Sequence, residues 1–153
     1  MAELPQVLAQ ANNRQSEIER LWQQGLEAFD SSQFREAITA WEQALDIYRT
    51  AGSREGEGFI LNFLGAAYSN LGRYEQAIGL YEEAITIARE TGDRTEEGRA
   101  LGNLALAYDD LGQYEQAIDL YEEAIAIARE VGNRVGEGIN QGNLGLAYAS
   151  LGQ

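Results

Sequence analysis

The sequence predicts an all-α chain of seven helices, folded as antiparallel pairs and stacked in a row as an α-solenoid. Three observations carry this. First, the chain copies itself at a period of 40 residues: Tyr74–Glu90 matches Tyr114–Glu130 except at 79/119 and 86/126, and Asn143–Gly152 parallels Asn103–Gly112. Internal repeats with periods of roughly 20–50 residues belong to arrays, not to a single compact core. Second, apolar and small residues fall at steps of three and four, as in Tyr74, Ala77, Ile78, Tyr81, Ala84, Ile85 and Ala88, which is one helical stripe. Third, helix-starting and helix-stopping residues recur at fixed offsets.

Taken in order, residues 1–13 form a lead-in segment, with a partial helix from Pro5, the only proline, to Ala11. Asn13-Arg14 opens a motif that returns as Ser53-Arg54, Asp93-Arg94 and Asn133-Arg134. Ser, Asp and Asn favour helix starts because their side-chain oxygen accepts a bond from a backbone N–H without a partner in the helix. Glu96 follows Asp93 at the spacing of a capping box. Before these caps stand Asn12, Gly52, Gly92 and Gly132, residues that accept the left-handed turn past a helix end. Leu71-Gly72 and Leu111-Gly112 mark the stop within each pair. The predicted helices are 14–30, 34–50, 54–70, 74–90, 94–110, 114–130 and 134–150, in units 14–53, 54–93 and 94–133 with a half unit 134–153. Connections of about three residues force consecutive helices antiparallel.

The stripes also predict the fit between helices. Small residues recur at Gly25, Gly65, Ala105 and Gly145 in the first helices and at Ala37, Ala77 and Ala117 in the second. Trp41, Tyr81 and Tyr121, with Tyr68, Tyr108 and Tyr148, supply large side chains to fill such notches. Gly58, Gly98 and Gly138 lie inside helices, where each costs about 1 kcal/mol relative to alanine. Their recurrence predicts close contact with the second helix of the preceding unit.

Composition excludes several functions. The net charge is −14, and all 11 basic residues are arginine. Such a surface repels nucleic acid and anionic membranes. No cysteine or histidine is present, so neither the usual metal clusters nor nucleophile–base pairs can form, and no cofactor is expected. Glu82-Glu83, Glu96-Glu97, Asp109-Asp110 and Glu122-Glu123 are neighbours. Adjacent helical positions point about 100° apart, so these pairs are expected on solvated faces and not as a catalytic dyad. Recurrent glycines fall inside helices and not after a strand, so no dinucleotide site follows. No apolar run reaches the roughly 18–20 residues of a membrane span, and the first ten residues lack the charge and apolar pattern of a signal peptide. The compartment stays open, with the cytoplasm slightly favoured.

Leu64-Gly65, Tyr68, Gly72, Tyr74, Ala77, Tyr81 and Ala84, and their counterparts Leu104-Ala105, Tyr108, Gly112, Tyr114, Ala117, Tyr121 and Ala124, resemble the tetratricopeptide repeat in a 40-residue form. The first unit keeps Gly25, Phe34, Ala37, Trp41 and Ala44 but has Gln24, Ala28 and Ser32 where later units have Leu, Tyr and Gly, which predicts looser packing there. The repeats are similar to those of kinesin light chains, spindle-orientation adaptors and bacterial, notably cyanobacterial, multi-repeat proteins. The resemblance implies a right-handed superhelix, a concave groove lined by the first helices, and a non-enzymatic role in binding a protein or peptide. Helix geometry puts Asn62 and Phe63, then Arg99, Asn103, Leu106 and Asp110, then Asn143 and Leu146 on the stripe off the core face. Related arrays hold a ligand's backbone with asparagines at the places of Asn103 and Asn143, because an amide both donates and accepts; bonds to neighbouring helices are the alternative role. The stripe's acids predict a basic or neutral ligand, bound more weakly as salt rises.

The chain stops at Gln153, just before the aromatic that opens each earlier second helix (Phe34, Tyr74, Tyr114). The last helix therefore carries Leu144, Tyr148 and Leu151 toward an absent partner. The expectation is either a fragment of a longer array or self-association through residues 141–151, an alternative role as an assembly element.

Overall fold

The structure, a computed structural model, describes residues 3–152 and the side chains of residues 4–152. These residues form seven α-helices: α1 Glu3–Asp30, α2 Phe34–Ala51, α3 Arg54–Asn70, α4 Tyr74–Thr91, α5 Arg94–Asp110, α6 Tyr114–Glu130 and α7 Arg134–Leu151. From α2 onward every helix begins where the sequence places its start. The lead-in is the exception. α1 runs unbroken through Asn12 and Asn13, so neither residue turns or caps the chain. Pro5 is tolerated because it stands in the first turn, where the N–H it lacks would be unpaired. Side chains 4–16 are all exposed, so these turns of α1 stand clear of the array.

The stops form as expected. Gly52, Gly72, Gly92, Gly112 and Gly132 all have φ between 69° and 75°. In the first unit Ser32 takes the same left-handed conformation at φ 59°, which is unfavourable for a residue with a Cβ. The caps divide. Asp93 and Asn133 accept the backbone N–H of Glu96 and Gly136 at 2.9 Å, whereas Ser53 makes no side-chain cap bond.

Large side chains fill the glycine notches. A Cβ on Gly65 would lie 2.5 Å from Tyr81, one on Gly25 2.0 Å from Trp41, and those on Gly58 and Gly98 2.9 and 2.8 Å from Ile87 and Ile127. Gly58 and Gly98 thus receive the second helix of their own unit, not of the preceding one as expected. The reason is antiparallel pairing: along α3, Gly58 and Gly65 meet Ile87 and Tyr81 in reverse order along α4. The same notches in α7, Gly138 and Gly145, face nothing. One core cluster runs from Leu21 to Ile127 and a second surrounds Tyr121, with Tyr108 and Leu120 packed against both.

α3 touches α5 and α5 touches α7, while consecutive even-numbered helices make no comparable contact. The odd-numbered helices therefore line the inner side of the stack. The seams are tied by arginines. Arg49 reaches Glu57 at 2.9 Å and Glu83 at 2.8 Å, and Arg54 reaches Glu57 at 2.8 Å and Glu90 at 2.5 Å. One unit later Arg89 holds Glu97 and Glu123, and Arg94 holds Glu97 and Glu130. A guanidinium fork can serve two carboxylates at once. In the next copy only Arg129–Glu137 forms, at 2.6 Å, and Arg134 has no ion partner among the described residues. The acidic pairs are thus not uniformly solvated: Glu96 and Glu97 are 7% and 2% exposed, because the seam buries them against arginine and amide groups.

Candidate functional site

The inner face has two halves of different chemistry. Across α1 and α3, Trp22, Phe59 and Phe63 close on one another with ring centroids 4.7–5.0 Å apart, and Trp22 stacks over Trp41 at 5.8 Å. These rings fill the inner face with apolar surface. From α5 to α7 the face is polar at its base. Asn103 Nδ2 donates to Asn62 Oδ1 at 2.9 Å, Asn62 Nδ2 donates to Glu96 Oε1 at 2.7 Å, and Arg99 pairs with Glu96 Oε2 at 3.0 Å. Glu96 sits where a capping box would turn its carboxylate back to the helix start. Instead it reaches across to α3, because Asn62 offers a donor there.

Burial pushes the Glu96 carboxyl up, and the Arg99 charge and the Asn62 bond only partly offset this. Next to this chain of bonds lies a cavity of about 180 Å³, bordered by Arg99, Asn103 and Leu106 on α5, Ile127 on α6, and Ile139 and Asn143 on α7. Asn140 donates to the Gly136 carbonyl at 3.0 Å, and its amide fits only because Gly102 lacks a Cβ, which would lie 2.6 Å from Asn140 Oδ1. At the far end of α5, burial raises the Asp109 and Asp110 carboxyls, and Asp110 adds to the rise at Asp109. Burial raises the Tyr81 phenol to about 12, with Asp110 contributing. Tyr121 is driven in the same direction by burial, then by Asp109 and Asp110; Asn143 faces it, yet its hydroxyl has no hydrogen bond of good geometry.

The sequence-predicted residues are therefore dispersed. Arg99, Asn103, Leu106 and Asn143 border one cavity. Leu146 is exposed farther along α7, and Asp110 lies exposed at the end of α5. Asn62 is 2% exposed and supports the floor from beneath, while Phe63 belongs to the aromatic half. Asn103 bonds to the neighbouring helix, the alternative role the sequence left open, and keeps its carbonyl oxygen outside that bond. Leu144, Tyr148 and Leu151 are half-buried against the Tyr121 cluster, and Tyr148 donates to Glu122 at 3.2 Å. The bare apolar side chains of α7 are Val135, Ile139 and Leu146. Sequence reasoning missed Glu96, Gly102 and Asn140 as parts of the site. Two of the three break the repeat: Gly56 and Gly136 stand in the place of Glu96, and Ile60 and Ala100 in that of Asn140, whereas Gly102 recurs as Gly142. Such departures were the available signal.

A stack of helix pairs with an inner face of this kind defines a repeat-type scaffold. The tetratricopeptide repeat model matches residues 17–90, 57–130 and 96–153, and the chain belongs to that family. A search of curated proteins finds no match. Among solved structures, the chain is similar to aspartyl phosphate phosphatase F from Bacillus subtilis, with TM-score 0.86 and 21% identity over 91% of this chain and 37% of that one. It is similar to a signal transduction ATPase with a tetratricopeptide repeat sensor from Pyrococcus horikoshii, with TM-score 0.84 and 24% identity over 96% and 23%. It is also similar to the nearly identical repeats of a putative kinesin light chain from Podosopora anserina, with TM-score 0.71 and 24% identity over 91% and 67%. The chain spans about half or less of several of these relatives, as with the 54% covered of BtubC from P. vanneervenii. At these identities the likeness is one of fold. Among the described residues, no helix is long and apolar enough to cross a membrane.

Proposed function

We propose that this chain is a non-enzymatic binding module that holds a peptide segment along its inner face, with the α5–α7 cavity as the main contact. Tetratricopeptide repeats generally mediate protein–protein interaction, and the chain carries three overlapping matches to that repeat. The observation that carries this reading is the cavity's border, where amides of Asn103 and Asn143 stand beside Leu106 and Ile139. Amides can pair with the backbone of an extended segment, and the two aliphatic side chains take an apolar residue. Asp109 and Asp110, two carboxylates at the end of α5 beyond the cavity, favour a cation on a ligand that reaches them. The preferred segment is therefore basic or neutral.

The test is selection from a random peptide library on the immobilised chain, followed by titration of the winners by calorimetry. Enrichment of Lys or Arg beside an aliphatic residue, with affinity lost in Leu106→Arg and falling as salt rises, supports the reading. Selection of acidic peptides, or winners whose affinity survives both Leu106→Arg and Asn143→Ala, refutes it.

A further inference from the structure

The bonds beneath the inner groove run in one direction, and one end sets it. Asn62 stands in the middle, 2% exposed. Its Nδ2 donates to Glu96 Oε1 at 2.7 Å, and its Oδ1 accepts from Asn103 Nδ2 at 2.9 Å. A side-chain amide has one donating and one accepting end. Between two other amides, Asn62 would be satisfied either way round. Glu96 removes that freedom. Arg99 Nη1 pairs with its Oε2 at 3.0 Å while Asn62 donates to its Oε1, so both oxygens already serve donors and neither has a proton to give. A carboxylate only accepts. Asn62 must therefore keep Nδ2 toward Glu96 and Oδ1 toward Asn103. Asn103 in turn points Nδ2 at Asn62, which leaves its Oδ1 without a partner among the described residues, beside the α5–α7 cavity that Asn103 borders.

We infer that Glu96 is the positioning residue of the groove: through Asn62 it holds the Asn103 amide oxygen toward the cavity, so that this point takes a hydrogen-bond donor, a backbone N–H of the bound segment. The inference rests on reading the inner face as a peptide groove. It adds a rule about the segment. A residue without an N–H, such as proline, is refused over Asn103. The relay occurs once among the described residues. One unit on, Gly102 and Gly136 stand in the places of Asn62 and Glu96; one unit back, Trp22 and Gly56 do. Asn143 has no such relay, so of the two groove asparagines only Asn103 has its polarity set from beneath.

Glu96→Gln tests this, because it keeps the shape of the side chain and changes what its two ends can do. The new amide has a single oxygen, and Arg99, which can only donate, claims it. The new NH2 then faces Asn62, whose amide turns end for end. Asn103 turns after it and puts Nδ2 toward the cavity. The fold, checked by circular dichroism, persists, since every bond of the relay is kept with donor and acceptor exchanged.

The first readout needs no ligand. In isotope-labelled protein, NMR couplings across hydrogen bonds report which nitrogen donates to which carbonyl. The wild type should couple Asn103 Nδ2 to Asn62 Cγ, and Glu96→Gln should couple Asn62 Nδ2 to Asn103 Cγ. The reverse coupling in the wild type, or the wild-type coupling kept in Glu96→Gln, overturns the proposal. The second readout uses the tightest peptide from the library selection, resynthesised with one N-methyl residue at a time. At one position methylation should weaken binding by about tenfold or more in the wild type and by about threefold or less in Glu96→Gln, where Asn103 no longer offers an acceptor. A peptide with no sensitive position, or with one equally sensitive in both proteins, overturns the proposal. A selection that yields no peptide refutes the groove reading alone, and the couplings then decide whether Glu96 directs Asn103.

Discussion

Alanine at Gly65 and at Gly145 should change stability in opposite directions, although both glycines hold the same place in the repeat. Each substitution gains about 1 kcal/mol of helix propensity. At Gly145 nothing opposes that gain, since no atom lies within 4 Å of the new methyl. At Gly65 the methyl would stand 2.5 Å from Tyr81 Cε1 and 2.8 Å from its Cδ1 and Cζ. Carbon atoms rest about 3.5–4.0 Å apart, so ring or helix must yield by about 1 Å. Tyr81 is 2% exposed and has no open side to yield into. Overpacking of a filled core costs about 1–3 kcal/mol, and contact with three ring atoms puts Gly65→Ala toward the upper end. The net expectation is a loss of about 1–2 kcal/mol for Gly65→Ala and a gain of up to about 1 kcal/mol for Gly145→Ala. Urea titration followed by circular dichroism measures both. Repeat arrays unfold nearly as a sum of units, so amide exchange in α7 checks that the Gly145 gain is local. A Gly65→Ala variant as stable as the wild type would refute the notch-and-knob account.

Two further outcomes follow from the same contacts. Tyr121→Ala should cost about 3–5 kcal/mol, while Phe34→Ala costs less because Phe34 is half-buried and rests mainly on Phe29 at 5.2 Å; equal losses in urea would contradict this. For Glu96 the folded pKa is raised by burial, so the folded state binds the proton more tightly than the unfolded state, and the site loses stability as pH rises through the carboxylate range. Glu96→Gln should therefore gain on the wild type at neutral pH and lose that advantage on acidification, read from thermal midpoints between about pH 4 and about pH 7; the opposite trend would mean that the Arg99 pairing outweighs burial.

The helices were legible because two independent periods, the helical turn and the 40-residue unit, agree on every start from Phe34 onward. The notches were legible because Gly65 and Tyr81 differ so much in size. The partner of Gly58 was read one unit off, since the period shows that a glycine recurs but not which neighbour approaches it. α1 misled because Asn12-Asn13 imitates a stop and a cap. Those residues act as such only where the chain has already turned, and nothing before Asn13 turns it. The α5–α7 cavity was half legible. Arg99, Asn103, Leu106 and Asn143 lie on one predictable stripe, but Glu96 is recruited by Asn62, which lies 34 residues away in sequence. A local capping rule has no access to such a contact. The arginine seams were hidden for the same reason: Glu83 and Glu123 look like free surface acids until Arg49 and Arg89 are brought beside them.

Among the described residues the bond from Asn62 to Glu96 occurs once, while nearly everything around it occurs twice. α4 and α6 are almost the same helix, so the notches of α3 could accept Tyr121 and Ile127 as readily as Tyr81 and Ile87. A folding chain that skipped one unit would lengthen the connection after α3 from 3 to 43 residues, nearly four doublings at about 0.6 kcal/mol each, or roughly 2 kcal/mol, little against the burial of a whole helix. The knobs cannot tell the two arrangements apart, and neither can the arginines, whose carboxylates recur at the same spacing. Asn62 can. In the skipped arrangement its amide is buried without Glu96 or Asn103, and an unmet polar group in the interior costs about 1–3 kcal/mol. The polar floor of the groove therefore also serves as an address that tells adjacent, near-identical units in which order to assemble.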